Sequence, residues 1–302
     1  MIKKQTVLVL GAGASTNYGF PTGRELKNRI LDQNNWYKHA GLVGHWADEV
    51  GWFTEAFRGS GIYSVDKFLS YHSRFEAIGK VAIASVLIQC ESLENLIPQR
   101  EGFDHWYQYL WNCLLTDKEN FKNNKLIIVT FNYDRSLEQY LFRTILNTFG
   151  VTEDEARILL NCIPIIHVYG DLGKLGEHST EKGSRPYHFP ADVLEFAKEI
   201  GIAKERLRIV GQRTESDVQL STLHSIITSA ERICFLGFGF DESNIELLPV
   251  KQLHDNDKIE IFASTKGLQG KEVLSVRNRL GANLYHSDDY CENFLRSHGV
   301  LI

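Results

Sequence analysis

Three polar side chains lie at or near the ends of buried, strand-like segments and belong to residue types that take part in catalysis. Asn132 and Asp134 closely follow the apolar run Leu126–Thr130, and His167 lies inside another apolar run at 163–169. Asparagine orients water or hydroxyl groups, aspartate stabilises a developing cation, and histidine readily accepts a proton near neutral pH. We therefore predict that Asn132, Asp134 and His167 are catalytic, with His167 as the general base.

Each of these side chains also has an ordinary structural interpretation. An Asn or Asp after a strand often caps the helix that follows, which is expected here at residues 135–142. A single histidine is more often a hydrogen-bonded structural residue than a catalyst. For Asp134 both interpretations remain open.

Two glycine-rich turns follow other apolar runs. GAGAS occupies residues 11–15 after TVLVL, and LGFGFDESN spans residues 236–244. Glycine lets backbone N–H groups approach a phosphate or a ribose, and a helix N-terminus adds a favourable dipole. The turns therefore predict a dinucleotide site, the alternative being tight strand-to-helix connections that bind nothing. Ser264, after a further run, is expected to reach the adenosine ribose or to cap a turn.

The glycine pattern does not favour a hydride-transferring dehydrogenase. Thr16 occupies the third glycine position of the GxGxxG pattern. No acidic residue ends an obvious second strand about 20 residues further on, where a dehydrogenase holds the ribose hydroxyls.

The elements that would position these residues alternate between strands and helices. Short apolar runs typical of strands buried on both faces occupy residues 6–10, 126–130, 163–169, 233–236 and 259–263. Helical segments are expected between them: at 156–160 behind the capping pair Thr152 and Glu155, from near Pro190 to before Gly201, and at 271–280 before Gly281. This alternation predicts an α/β fold with a Rossmann-like, doubly wound parallel sheet.

Residues 35–122 interrupt that alternation and contain all five tryptophans. Apolar residues recur there at roughly helical spacing, so we predict an inserted helical subdomain, with residues 1–34 and 123–302 forming the Rossmann-like domain. The insert would cover the nucleotide site as a lid or form an oligomer interface. Residues 171–188 are rich in glycine, serine and charge, which predicts a loop.

Composition excludes several classes of protein. The net charge is −5 and the basic residues are dispersed, so no nucleic-acid partner is expected. The five cysteines are widely spaced without a CxxC pair, so we expect no metal and reduced thiols. The N-terminus has no signal-peptide pattern, and the longest apolar run, at 81–88, is far short of the ~20 residues of a membrane span. We expect a cytoplasmic protein.

The ordered set of GAGAS with GFPTGRE, then TFNYD, HVYG and LGFGFDESN resembles the sirtuin-like family, and most closely its divergent bacterial branch that consumes NAD without deacylating proteins. The resemblance covers residues 6–24 and about 126–264. It departs from the deacylases at Phe131, where they carry glutamine, in the GFPTGR segment, and in lacking four zinc cysteines. These departures make acyl-lysine binding doubtful.

The resemblance implies roles for individual residues. Asn132, Asp134 and His167 would surround the nicotinamide ribose, with His167 at the position of the catalytic histidine. The residues implied to bind the cofactor are Gly11, Ala12, Gly13 and Ser15 at the pyrophosphate, Pro21 and Arg24 beside the nicotinamide ribose, and Gly237 and Gly239 toward the adenosine. From their places at strand ends we predict that Thr130 and Ser264 bind the cofactor as well.

The implied activity is hydrolysis of the nicotinamide–ribose bond of NAD, which yields nicotinamide and ADP-ribose. The resemblance also implies a regulated effector of antiviral defence, a homo-oligomer, and a second protein as a regulatory partner. The alternative is a catalytically silent module that binds NAD or ADP-ribose, and a protein deacylase fits the sequence less well.

Overall fold

A computed structural model describes residues 1–32, 36–97, 104–176, 181–209, 218–281 and 284–302. In chain order its strands are β1 Thr6–Leu10, β2 Leu126–Thr130, β3 Ile165–His167, β4 Lys174–Leu175, β5 Ser184–Arg185, β6 Arg232–Leu236, β7 Glu260–Ser264 and β8 Leu284–Ser287. Six of them form one parallel sheet in the order β3-β2-β1-β6-β7-β8, while β4 and β5 pair separately. The predicted Rossmann-like α/β fold is confirmed.

The sheet is flanked by helices in the described part of the chain. They are α1 Gly23–Leu31, α2 Tyr37–Ala40, α3 Ala47–Gly59, α4 Val65–Tyr71, α5 Glu76–Ile88, α6 Leu93–Leu96, α7 Trp106–Leu114, α8 Ser136–Phe149, α9 Glu153–Leu160, α10 Val193–Arg206, α11 Val218–Thr228, α12 Glu242–Ile245, α13 Val250–His254, α14 Gly270–Leu280 and α15 Cys291–Ser297. Shorter 3₁₀ segments include Ala12–Tyr18.

The central strand β1 brings three turns to the same edge of the sheet. All five of its residues are buried, as expected of an apolar strand with neighbours on both sides. Leu10 is in register with Thr130 of β2 and with Leu236 of β6. Because the chain leaves β1 toward β2 on one side and β6 lies on the other, this edge is the switch point where ligands bind in such folds.

All the described secondary-structure elements between β1 and β2 are helical. Helix α5 has almost no exposed surface and packs against α1 and α10, so the hydrophobic core runs without a break from these helices into the sheet. Residue 35 and residues 98–103 of the predicted insert, and residues 33–34 just before it, lie outside the described residues.

Local signals located some helix boundaries correctly. The predicted capping box is present at α9, where Glu155 N–H bonds the Thr152 hydroxyl and the Glu155 carboxylate accepts the Thr152 N–H. Helix α14 ends at Gly281, whose φ of 105° favours glycine.

Other predicted boundaries are wrong. Helix α10 continues through Gly201 to Arg206, because Ile200 and Ala203 bury its face in the core and outweigh the low helix propensity of glycine. Strand β3 is shorter than predicted, and β8 escaped prediction because this edge strand carries polar, partly exposed residues. The predicted loop at 171–188 includes β4 and β5, and residues 177–180 lie outside the described residues.

In the ranges that the structure describes, no helix is both long enough and apolar enough to cross a membrane.

Candidate functional site

A cavity of about 640 Å³ opens at the carboxyl ends of β1, β2, β6 and β7. Its volume is typical of small-molecule and cofactor sites. Ten of the thirteen residues predicted to act or to bind the cofactor line it: Gly11, Ala12, Gly13, Pro21, Arg24, Asn132, Asp134, Gly237, Gly239 and Ser264. Ser15 and Thr130 support Asn132 from beneath the surface, while His167 lies elsewhere.

The two glycine turns pack directly on each other. Gly11 N–H donates to Leu236 O at 3.0 Å, and Gly13 N–H donates to Gly237 O at 2.9 Å. A Cβ on Gly13 would lie 2.9 Å from the Cα of Gly237, and Gly237 has a φ of 55°. These glycines are therefore required by the close approach of two backbones.

This packing corrects the expected role of the first turn. The amides of Gly11 and Gly13 are used within the fold, so they are not available to a pyrophosphate. Ala12, which begins the 3₁₀ segment between them, lines the cavity. The exposed guanidinium of Arg24 and the N-terminus of α1, at Gly23, line it as well and provide positive potential.

Asn132 is held rigidly at the cavity wall. Its Nδ2 donates to Gly11 O at 3.0 Å and to Ser15 Oγ at 3.2 Å, and its backbone N–H donates to Thr130 Oγ1 at 3.1 Å. Ser15 thus positions the side chain of Asn132 and Thr130 positions its backbone, and neither residue lines the cavity.

Asp134 has the structural role that the sequence left open, and its catalytic role stays a prediction. It accepts the backbone N–H of Ser136 at 3.1 Å and the Ser136 hydroxyl, so it stabilises the start of α8. It also lines the cavity. Burial raises the pKa of Asp134, against the opposing hydrogen bonds of Ser136 and Ser15.

His167 does not share this cavity. It lies at the end of β3 and lines a second cavity of about 530 Å³, together with Glu138, Asp171 and Arg206. Both ring nitrogens are engaged: Nδ1 lies 2.9 Å from Asn132 O, and Nε2 lies 2.5 Å from Glu138 Oε1. The expectation that the imidazole of His167 and the amide of Asn132 face one bound sugar is therefore wrong.

The predicted role of His167 as general base stays a prediction, and the surroundings of the ring do not favour it. Burial lowers its pKa, but the charge and hydrogen bond of Glu138, with a contribution from Asp171, outweigh burial and raise the pKa to about 9. This environment favours the protonated form of the ring, and that form cannot accept another proton. The raised pKa results from tertiary packing, because α8 places the carboxylate of Glu138 beside the end of β3.

Tyr169 enters the main cavity in place of His167. Its hydroxyl donates to Asn244 Oδ1 at 2.7 Å, and only 4 % of its surface is exposed. The sequence analysis missed this residue although it belongs to the same HVYG segment. Because β3 ends at His167, strand alternation does not extend to position 169 and could not decide which side chain enters the site.

The region between β1 and β2 contributes two carboxylates that the sequence analysis also missed. Asp66 of α4 accepts the hydroxyl of Tyr133, and burial raises the pKa of Asp66 to about 6. Asp104 accepts Asn17 Nδ2 at 3.4 Å and the Glu292 N–H at 2.6 Å. Both carboxylates line the cavity, so this helical region forms part of its wall.

A lysine at the other end of the cavity adds a second cation. Lys266 follows β7, and its Nζ lies 4.6 Å from the centroid of the Tyr290 ring and 3.8 Å from Asp288 Oδ2. The residues that line the cavity therefore include the cations Arg24 and Lys266 and the carboxylates of Asp66, Asp104 and Asp134.

Comparison of the chain with protein-family models and with curated proteins found no match.

Proposed function

We propose that the protein binds NAD in the main cavity and hydrolyses its nicotinamide–ribose bond. The observation that carries this proposal is the arrangement of Asn132 and Asp134 beside two glycine turns, at the switch point of a Rossmann-like sheet. A volume of about 640 Å³ suits an extended dinucleotide. Arg24 and the start of α1 would offset the charge of the pyrophosphate.

The proposed chemistry is substitution at the anomeric carbon of the nicotinamide ribose. The C–N bond breaks and its electron pair leaves with nicotinamide, which departs neutral because it was a pyridinium cation. The ribose then resembles an oxocarbenium ion, which a water oxygen attacks. Asn132 would orient that water or a ribose hydroxyl.

The proton of the attacking water needs an acceptor other than His167. The carboxylates of Asp134 and Asp66 line the cavity and are the groups we assign to this role. Because the oxocarbenium-like ribose is highly reactive toward water, the attack needs little base catalysis. In this scheme His167 is a positioning residue, because its Nδ1 contacts the backbone oxygen of Asn132.

Unrestrained hydrolysis would deplete the NAD of the host cell. We therefore propose that the activity is regulated, as the resemblance to defence-associated sirtuin-like proteins implies. In that proposal the protein is a cytoplasmic effector of antiviral defence that assembles with copies of itself or with a regulatory protein.

A second candidate function is a module that binds NAD or ADP-ribose without turnover. The observation in its favour is the engagement of both His167 nitrogens outside the cavity, which removes the expected base. The two candidates share a binding site and differ in whether nicotinamide is released.

The deciding experiment measures nicotinamide release from NAD by the full-length protein, with and without extract of infected cells. We expect Asn132→Ala to release nicotinamide at least about 100-fold more slowly than the wild type, because the asparagine side chain positions the reacting groups. Asn112→Ala, on the exposed face of α7, is the matched control and should leave release unchanged.

Tight NAD binding with no nicotinamide release under either condition would favour the binding module. Equal release by the wild type and Asn132→Ala would contradict the assigned site. Reduction of NAD or deacylation of an acyl-lysine peptide would reject the proposed reaction.

A further inference from the structure

A group of potential metal ligands lies at the start of α10, away from the main cavity. Glu195 and Glu199 are one helical turn apart on α10, and His188 lies in the segment before it. One ligand atom from each of the three lies within 4.8 Å of the other two. Residues four apart share a helix face, so both carboxylates can approach one ion.

Only one of the two carboxylate oxygens of Glu199 has a hydrogen-bond partner among the described residues. Its Oε2 accepts Arg185 Nη2 at 2.5 Å and Nε at 3.1 Å. Its other oxygen, Oε1, is buried and has no hydrogen-bond partner among the described residues, although the residue is only 3 % exposed. A buried carboxylate oxygen without a partner is destabilising, so this atom is suited to a ligand.

We propose that His188, Glu195 and Glu199 bind one divalent transition-metal ion, with Zn²⁺ as the expected occupant. An imidazole and two carboxylates are ligands that Zn²⁺ accepts at about 2.0–2.2 Å. The side chains need to close by a small amount from their present separation, and the exposed position of Glu195 allows this movement. A water would be the fourth ligand.

The ion would connect the segment before α10 to a buried charge cluster. Arg185 bridges Glu199 and Glu91, and Glu91 in turn pairs with Arg135 at 2.9 Å. Binding at Oε1 leaves the contacts between Oε2 and Arg185 intact. The site would therefore act structurally, by fixing His188 against α10, and it does not depend on the proposed hydrolysis of NAD.

The test uses the full-length protein after removal of metal with a chelator. We expect the wild type to bind one Zn²⁺ per chain in a titration against a chromogenic chelator, and Co²⁺ to give the visible absorption bands of a low-coordinate site. Glu195→Gln and His188→Ala should each weaken binding at least about tenfold and change the Co²⁺ spectrum.

Glu205→Gln provides the matched control, since it removes an exposed carboxylate from the same helix. It should leave the affinity unchanged. Glu195→Gln is expected to fold because only the backbone N–H of this residue takes part in the cap at Asp192. Absence of stoichiometric binding by the wild type, or equal affinity in the wild type and both ligand variants, would overturn the proposal.

Discussion

The imidazole Nε2 of His167 lies 2.5 Å from Oε1 of Glu138, and this contact joins the last residue of β3 to the first turn of α8. The pair directs the ring away from the main cavity and toward a second one. At the same time Nδ1 contacts the backbone oxygen of Asn132, at 2.9 Å. The histidine is thus placed to hold the backbone of a cavity residue without meeting the ligand itself.

The His167–Glu138 pair predicts a pH-dependent contribution to stability. The pKa of His167 is raised from 6.5 to about 9, so the pair contributes fully below about pH 6.5 and its contribution is lost as pH rises through 9. Glu138→Gln should therefore lower the free energy of unfolding by about 3 kcal/mol at pH 6. The loss should nearly vanish at pH 10. Urea unfolding at both pH values measures the difference, and a pH-independent loss would contradict the assignment.

His167→Gln distinguishes a positioning role from general-base catalysis. Glutamine keeps a hydrogen-bonding group but cannot act as a base. If His167 only positions Asn132, nicotinamide release should fall by less than about tenfold, below the ~10²–10⁴-fold range typical of a lost general base. The measurement is kcat and KM of His167→Gln for nicotinamide release, compared with those of Asn132→Ala. A loss of nicotinamide release as large as that of Asn132→Ala would show that His167 takes part in catalysis.

Gly237→Ala should strongly destabilise the fold. A Cβ at this position would lie 2.0 Å from the backbone nitrogen of Ala14, and φ is 55°. We expect a loss of at least about 3 kcal/mol in the free energy of unfolding, since two backbones would have to separate. Gly239→Ala is the control two residues away, because its added Cβ meets nothing within 4 Å. Similar denaturation midpoints for both variants would show that the turns do not pack as described.

Ala12→Asp tests where the pyrophosphate would lie. Ala12 lines the cavity between Gly11 and Gly13, so a carboxylate there would repel a bound phosphate. We expect the Kd for NAD, measured by calorimetry, to rise at least about tenfold. Ala47→Asp adds the same charge on the exposed first turn of α3 and should leave the Kd unchanged. Unaltered NAD binding by Ala12→Asp would move the ligand away from this turn.

The sequence by itself determined the central part of the fold. Strands β1, β2, β6 and β7 were readable because strands covered on both faces need unbroken apolar runs. The capping box of α9 was readable because its hydrogen bonds join residues three positions apart. The positions of the glycine turns and Asn132 directly after these strands predicted that they share one sheet edge, and the structure brings them together there.

Only the tertiary structure decided which groups face the cavity and which are already engaged. The amides of Gly11 and Gly13 donate to Leu236 and Gly237 at the end of β6, more than 200 residues away in the chain, and His167 turns toward Glu138 of α8. Asp66 reaches the cavity from a helix between β1 and β2. Such contacts join residues distant in sequence, and no local pattern of residue types encodes them. The fold therefore followed from local patterns, whereas the chemistry of the site depended on packing between elements.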